Sequence, residues 1–248
     1  MDQLIYLDKF KKILQSYKPS EFAISLLSEL NLCLFLGPSG AGRNTIIKEL
    51  VKSGRYYFVV SDTTRMPRYN NGILEKNGIE YWFKTEAEIL IELKKGLFLE
   101  AEIIHNQQVS GISIRELNQA NKLNKIAITD IDLGGVKNIL LLKPNTKCFL
   151  ILPPSFDIWL ERLNNRDKMS NNEIIRRFKT AIKIFDRALS DNFYIIINND
   201  VNLSTEIINK FCQEPKQNYK KTSSEVELLK LLSHKSKQYI EKFSTLDM

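Results

Sequence analysis

Nine consecutive residues, Gly37-Pro38-Ser39-Gly40-Ala41-Gly42-Arg43-Asn44-Thr45, have the composition of a phosphate cradle. The glycines let successive backbone N–H groups turn inward, and a helix starting there adds its partial positive charge. The spacing follows the P-loop pattern Gly-x-x-x-x-Gly-Lys-Ser/Thr, with Arg43 in the lysine position and Asn44 in the hydroxyl position. Such a turn holds phosphate oxygens through its main chain alone. A second basic group follows at Ser61, Arg65 and Arg68. Arginines three apart share one face of a turn or helix and can grip phosphate oxygens in pairs, although a solvated basic loop reads the same way. Further on, an apolar run from Ile126 ends in two carboxylates, Asp130 and Asp132.

These groups need a frame. Leu32 to Leu36 reads as a strand leading into the glycine turn, and residues 44–53 as the helix leaving it. A strand is predicted over Tyr56 to Val60, a polar loop or hairpin over 69–79 and a strand over Glu80 to Phe83. Thr85 and Glu88 have the spacing of a capping box, opening a helix over 85–95. Phe98 to Ile104 is extended and ends in a polar stretch, His105 to Ser110; Ser113 to Asn121 reads as helix. Ile126 to Asp132, Lys147 to Leu152 and Phe193 to Ile197 read as buried strands. Helices are predicted over Leu133 to Leu142, 155–164, 171–189 and from Asp200 to about 212. Alternation of this kind builds a parallel sheet covered on both faces, with ligands beyond the carboxyl ends of the strands. Residues 1–30 read as two helical pieces broken at Pro19, forming an extra layer. Residues 213–223 read as a linker before a lysine-rich helix that could dock on the core, contact a partner or stay mobile.

The formal charge of the 248 residues is +7, which suits an anionic ligand or nucleic acid. The charge is spread: residues 216–242 hold seven lysines and three glutamates, a balance of +4. No dense basic arm or aromatic-basic motif stands out, which argues against nucleic acid. Cys33, Cys148 and Cys212 lack paired metal spacing, and Cys33 and Cys148 sit in apolar runs as core residues. No apolar run approaches a membrane span, and the first residues lack a signal-peptide core, so a cytoplasmic protein is expected.

Several motifs in order carry a specific likeness. Gly-Pro-Ser-Gly-Ala-Gly is followed by Ser-x-Thr-Thr-Arg-x-Pro-Arg at 61–68, Tyr81, Phe-Leu-Glu at 98–100 and Asp-Ile-Asp at 130–132. Then come Pro153-Pro154-Ser155, Arg162-Leu163-x-x-Arg166, Arg177-Phe178, Ala181 and Asn198-Asn199-Asp200. Together, over roughly residues 32–212, they resemble guanylate kinase. The resemblance implies an α/β P-loop kinase: a central parallel sheet flanked by helices, an acceptor-binding lobe (about 61–113) and a lid (about 162–177), within a domain at 31–212. The implied reaction is ATP-dependent phosphorylation of GMP to GDP with Mg²⁺. Residues Gly37, Pro38, Ser39, Gly40, Ala41, Gly42, Arg43, Asn44 and Thr45 would wrap the ATP phosphates, with Asn198 near the adenine. Ser61, Arg65, Arg68 and Tyr81 would hold the GMP phosphate. Glu100 would accept from guanine with support from Asp132, and Asp130 would act in the Mg²⁺ shell through water. Arg166 and Arg177, with Arg43, would stabilise the transferring phosphoryl group, a reaction that needs positioning and positive charge.

The chain departs from the family at Arg43, at Asn44 and in the stretch His105 to Ser113. There Ser110 stands in the place of a phosphate-binding tyrosine and Ile112 in that of a base-holding hydroxyl; His105, Gln107 or Gln108 could substitute. Two other readings therefore stand beside the first: a kinase for another phosphorylated small molecule, and a non-catalytic module of the same family that binds protein. The helices at 1–30 and 213–248 leave a protein partner open.

Overall fold

The computed structural model describes residues 3–70, 72–166, 169–215 and 219–244. Helices α1 (Leu7–Gln15) and α2 (Glu21–Glu29) precede strand β1 (Leu32–Leu36) and α3 (Arg43–Lys52). Next come β2 (Tyr56–Phe58), β3 (Asp62–Thr63), β4 (Tyr69–Asn70), β5 (Ile73–Leu74) and β6 (Trp82–Phe83). Helix α4 (Glu86–Lys94) is followed by β7 (Phe98–Ile104), β8 (Gln108–Ser113), α5 (Ile114–Lys122) and β9 (Ile126–Asp130). The order continues through α6 (Leu133–Leu142), β10 (Lys147–Leu152), α7 (Phe156–Arg166) and α8 (Asn171–Ser190). It ends with β11 (Tyr194–Ile197), α9 (Val201–Gln213) and α10 (Ser223–Ser244).

A parallel sheet has the strand order β11-β10-β1-β9-β2, and a second sheet the order β6-β3-β8-β7. The chain divides into two compact units. One gathers Met1–Leu32, Gly54–Thr129 and Gly134–Thr146; the other Cys33–Ser53, Asp130–Leu133 and Lys147–Met248.

In the second unit β1, β10 and β11 run parallel, with Phe35 opposite Phe149 and Phe149 opposite Tyr194. Strands β1 and β10 are buried along their whole length, so they read as continuous apolar runs rather than as alternation. All three cysteines are free thiols buried in the core, with Cys33 Sγ 3.6 Å from Cys212 Sγ. Lys147 is also buried. Its ammonium donates to the backbone carbonyls of Cys212 (3.1 Å) and Glu214 at the end of α9. The lysine-rich helix α10 docks, packing on α7 and α8.

In the first unit the second sheet is mixed: β3 lies parallel to β6 and antiparallel to β8, and β7 pairs antiparallel with β8. The sequence does not announce this sheet. Residues 105–110, expected as a polar stretch, form a tight turn and the first half of β8. His105 and Asn106 take left-handed conformations (φ 53° and 57°), and Gln107 N–H closes onto the Ile104 carbonyl at 3.0 Å. The two positive φ values fall within a three-residue loop, His105 to Gln107, between Ile104 and Gln108, which face each other in the β7–β8 register. The strand expected over 80–83 shortens to β6, and that over 56–60 to β2. The 69–79 stretch contains the β4–β5 hairpin, Tyr69 opposite Leu74.

The capping box at Thr85 and Glu88 forms as expected, with both of its hydrogen bonds. Helix α1 packs on α4 and β7, burying Leu4, Leu7 and Phe10 with Ile89, Leu93 and Phe98. The Glu86 carboxylate accepts from the N–H groups of Ile5 (3.0 Å) and Tyr6 (2.8 Å). Tyr17 Oη donates to the Phe98 carbonyl at 2.6 Å and accepts from its N–H at 3.0 Å. Burial pushes this hydroxyl up to about 12.

Candidate active site

Strand β1 delivers the chain into the glycine turn. Gly42 is left-handed (φ 93°) and stands as the N-cap of α3. A Cβ there would lie 2.1 Å from Asn198 Nδ2, so a glycine is required twice over. Helices α7 and α8 hold the turn from its other side: Trp159 Nε1 donates to the Ser39 carbonyl at 2.7 Å, and Arg177 Nη1 donates to Ser39 Oγ at 2.5 Å. Arg177 is steadied from below by Glu173 at 2.8 Å. Hydrogen bonds from Arg176 and then Arg177 pull the Glu173 carboxyl down to about 2. Arg43, in the first turn of α3, pairs with Asp130 at the end of β9. Among the described residues no group of three or more His, Cys, Asp or Glu side chains is arranged to hold a metal by itself.

In the first unit the guanidinium of Arg65 is buried and clamped. Its Nη1 and Nη2 donate to Glu75 Oε2 (2.5 Å) and Oε1 (2.9 Å), and Nη1 also donates to the Met66 carbonyl (3.0 Å). The plane lies 4.6 Å over the Tyr81 ring. Glu75 Oε2 also accepts from the Arg68 N–H at 2.9 Å, so one carboxylate fixes both arginine positions. Ser61 sits in a strut built on Glu116, which accepts from Tyr57 Oη (3.0 Å), Val60 N–H (3.3 Å) and Trp82 Nε1 (3.0 Å). The Trp82 N–H donates to the Ser61 carbonyl at 2.9 Å. Asp62, fully buried, is neutralised by Arg115 at 2.7 Å and Lys84 at 2.9 Å. Glu100 lies buried on β7 opposite Ile112, and Ser110 on the adjoining β8 donates to Thr63 Oγ1 at 2.8 Å.

The family profile for guanylate kinase matches residues 29–215. This chain belongs to the guanylate kinase family. It is 33% identical over 179 residues to a guanylate kinase of Corynebacterium glutamicum, a match covering 71% of this chain and 92% of that protein. It is 37% identical over 182 residues to a guanylate kinase of Helicobacter pylori, covering 73% and 85%. Among solved structures, guanylate kinase from Anaplasma phagocytophilum matches with a TM-score of 0.55 at 21% identity, over 74% of this chain and 85% of that one. That last likeness is one of fold.

Against the guanylate kinase pattern, the residues expected around ATP fall in the second unit with Asp130 and Asp132. Ser61, Arg65, Arg68, Tyr81, Glu100 and Ser110 fall in the first. Asn198, expected near the adenine, is only 2% exposed; its amide donates to the Ala41 carbonyl at 2.8 Å and supports the turn from behind. Arg166 is the last residue of α7, and its side chain lies outside what the structure describes, as do residues 167 and 168 of the expected lid. His105 is an exposed turn residue. Sequence reasoning passed over the carboxylates that hold the arginines, Glu75 and Glu173. The signal for Glu173 was its i,i+4 spacing to Arg177. It also passed over Glu102, on the same face of β7 as Glu100. A Cβ at Gly134 would lie 1.9 Å from Glu102 Oε1, so glycine there leaves room for that carboxylate.

Proposed function

We propose that this guanylate kinase family member transfers the γ-phosphoryl group of ATP to GMP, giving ADP and GDP, in the cytoplasm. The observation that carries this reading is the family match across residues 29–215. In the transfer, a terminal oxygen of the GMP phosphate bonds to the γ-phosphorus as the bond to the β–γ bridging oxygen breaks, leaving ADP. Little covalent chemistry falls to the protein; it positions the two nucleotides and neutralises the equatorial oxygens.

The backbone N–H groups of residues 37–45 receive the ATP phosphates. Arg177, held at the turn by Ser39, meets the γ-phosphoryl oxygens, and the family resemblance gives Arg166 the same task. Arg43 is kept beside the phosphates by its pair with Asp130. On the acceptor side Ser61, Arg65, Arg68 and Tyr81 take the GMP phosphate. Glu75 occupies the Nη1–Nη2 edge of Arg65 and sets the orientation of its guanidinium. Glu100 accepts from the N1–H and exocyclic amine of guanine, assisted by Asp132, and Ser110 supplies a hydroxyl to the same lobe.

Mg²⁺ fits the donor set through Asp130, a part-exposed carboxylate with acceptor capacity beyond its pair with Arg43. Asp130 would hold the ion through water, and Asn44 and Thr45, both exposed at the start of α3, offer neutral oxygens nearby. When bound, the ion would supply positive charge to the nucleotide phosphates. A coupled ADP-release assay with GMP, dGMP, AMP and UMP tests the proposal. Turnover with GMP well above the others is expected; no turnover with any of them sinks the enzyme reading.

A further inference from the structure

The family profile ends at residue 215, before α10 begins. Yet α10 lies along α8, the helix that carries Arg177, and also touches α7. Its inner stripe, Leu229, Leu232, Ser233 and Ser236, is buried at helical spacing. The two serines are small enough to let the helices approach closely, and the Ser236 hydroxyl is satisfied within α10 by the Leu232 carbonyl at 2.7 Å. At the far end of the stripe Tyr239 meets the Phe178 ring edge-on, with centroids 5.0 Å apart and an interplanar angle of 87°. Its hydroxyl lies 3.4 Å from Asn171 Oδ1, in the first turn of α8. Phe178 packs 4.7 Å from Trp159, whose indole N–H holds the Ser39 carbonyl.

These contacts form an unbroken packed path from Tyr239 through Phe178 and Trp159 to the glycine turn. Arg177 is the neighbour of Phe178 in sequence, so the two side chains turn together with the helix. A helix with its side chains has a radius of about 5–6 Å, so a rotation of about 20° moves an arginine head by roughly 2 Å. That shift breaks a 2.5 Å hydrogen bond, and misplacement by about 1 Å can cost a reaction on the order of 100-fold.

We infer that α10 is a positioning element for phosphoryl transfer: Tyr239, set against Phe178, fixes the rotation of α8 and thereby holds Arg177 on Ser39. The inference rests on the role proposed above for Arg177, and it adds a device outside the family-matched segment.

The test is steady-state kinetics and hydrogen exchange on the full chain carrying Tyr239→Ala, Tyr239→Phe and, separately, Arg177→Ala. Tyr239→Ala is expected to lower kcat about 10-fold while KM for GMP stays within about 2-fold, with faster amide exchange over 171–178. Tyr239→Phe keeps the ring edge and is expected to stay within about 2-fold of the parent on both parameters. If Tyr239→Ala does not fold, Tyr239→Leu, which retains apolar volume without the ring edge, takes its place. Unchanged kcat in a folded variant with loosened α8 overturns the inference. So does a loss in Tyr239→Phe as large as in Tyr239→Ala. Arg177→Ala separates the two levels. Full activity in that variant removes the role of Arg177 itself, whereas its loss beside an active Tyr239→Ala removes only the positioning by α10.

Discussion

Glu75 and Arg65 are joined by two hydrogen bonds, 2.5 and 2.9 Å, between the two oxygens of one and two nitrogens of the other. The pair is nearly closed to solvent, with side-chain exposures of 7% and 6%. A buried guanidinium without a counter-charge is costly, so Glu75 both neutralises and orients Arg65, the residue proposed above to take the GMP phosphate. Glu75→Gln keeps the shape and removes the charge. We expect KM for GMP to rise about 10-fold with kcat within about 2-fold, because the lost interaction steadies binding before and during transfer alike. Steady-state kinetics at saturating ATP measures it; an unchanged KM would mean that Arg65 is held by Tyr81 and Met66 alone.

Arg43 stands where the P-loop pattern has lysine, and it pairs with Asp130. Arg43→Ala is expected to lower kcat on the order of 100-fold, as for other groups aimed at developing charge. Arg43→Lys restores the cation but not the planar two-point grip, so it should lie within about 10-fold of the parent. An alanine variant with parental kcat would show that Arg177 and the main chain suffice.

Gly42→Ala meets two obstacles: a left-handed backbone and a Cβ placed 2.1 Å from the Asn198 amide. A loss of roughly 2 kcal/mol or more in unfolding free energy is expected, together with weakened ATP binding. Adding Asn198→Ala should recover only part of it, since the backbone strain remains. Urea denaturation of the single and double variants reads this directly. Full recovery would assign the whole cost to the side-chain clash.

Glu173 has its carboxyl pulled from 4.5 down to about 2, chiefly by Arg176 and then by Arg177. A carboxylate with a lowered folded-state value contributes stability that is fully present above its unfolded value and lost as pH falls through the folded one. The stability gap between the parent and Glu173→Gln should therefore be constant near neutrality and shrink between about pH 4.5 and pH 2. Denaturation midpoints across that range would show it; a gap independent of pH would mean the pairs are screened by solvent.

Where a segment's own pattern sets its structure, the sequence was readable. The apolar runs at Lys147 to Leu152 and Phe98 to Ile104, the capping box at Thr85 and the helix over Leu133 to Leu142 all form at the stated limits or within a residue. The glycine turn was legible because main-chain geometry leaves a residue-type trace. The short second sheet was not: β3 and β6 are two residues each and depend on neighbours far along the chain. The β7–β8 turn was missed because His105 and Asn106 carry no glycine to advertise a positive φ. Partners were the least readable part of the site. Glu75 reaches Arg65 only because the β4–β5 hairpin folds back, and nothing in the composition of residues 69–79 singles it out. Likewise no local pattern could say that α10 would dock rather than float.

Lys147 holds one further practical meaning. Its amine is enclosed and spent on two carbonyls at the close of α9. Acylating reagents that mark the many surface lysines should leave this one untouched while the protein is folded. Its appearance as a modified peptide in a mass spectrum would then serve as a built-in clock for the opening of this half of the enzyme.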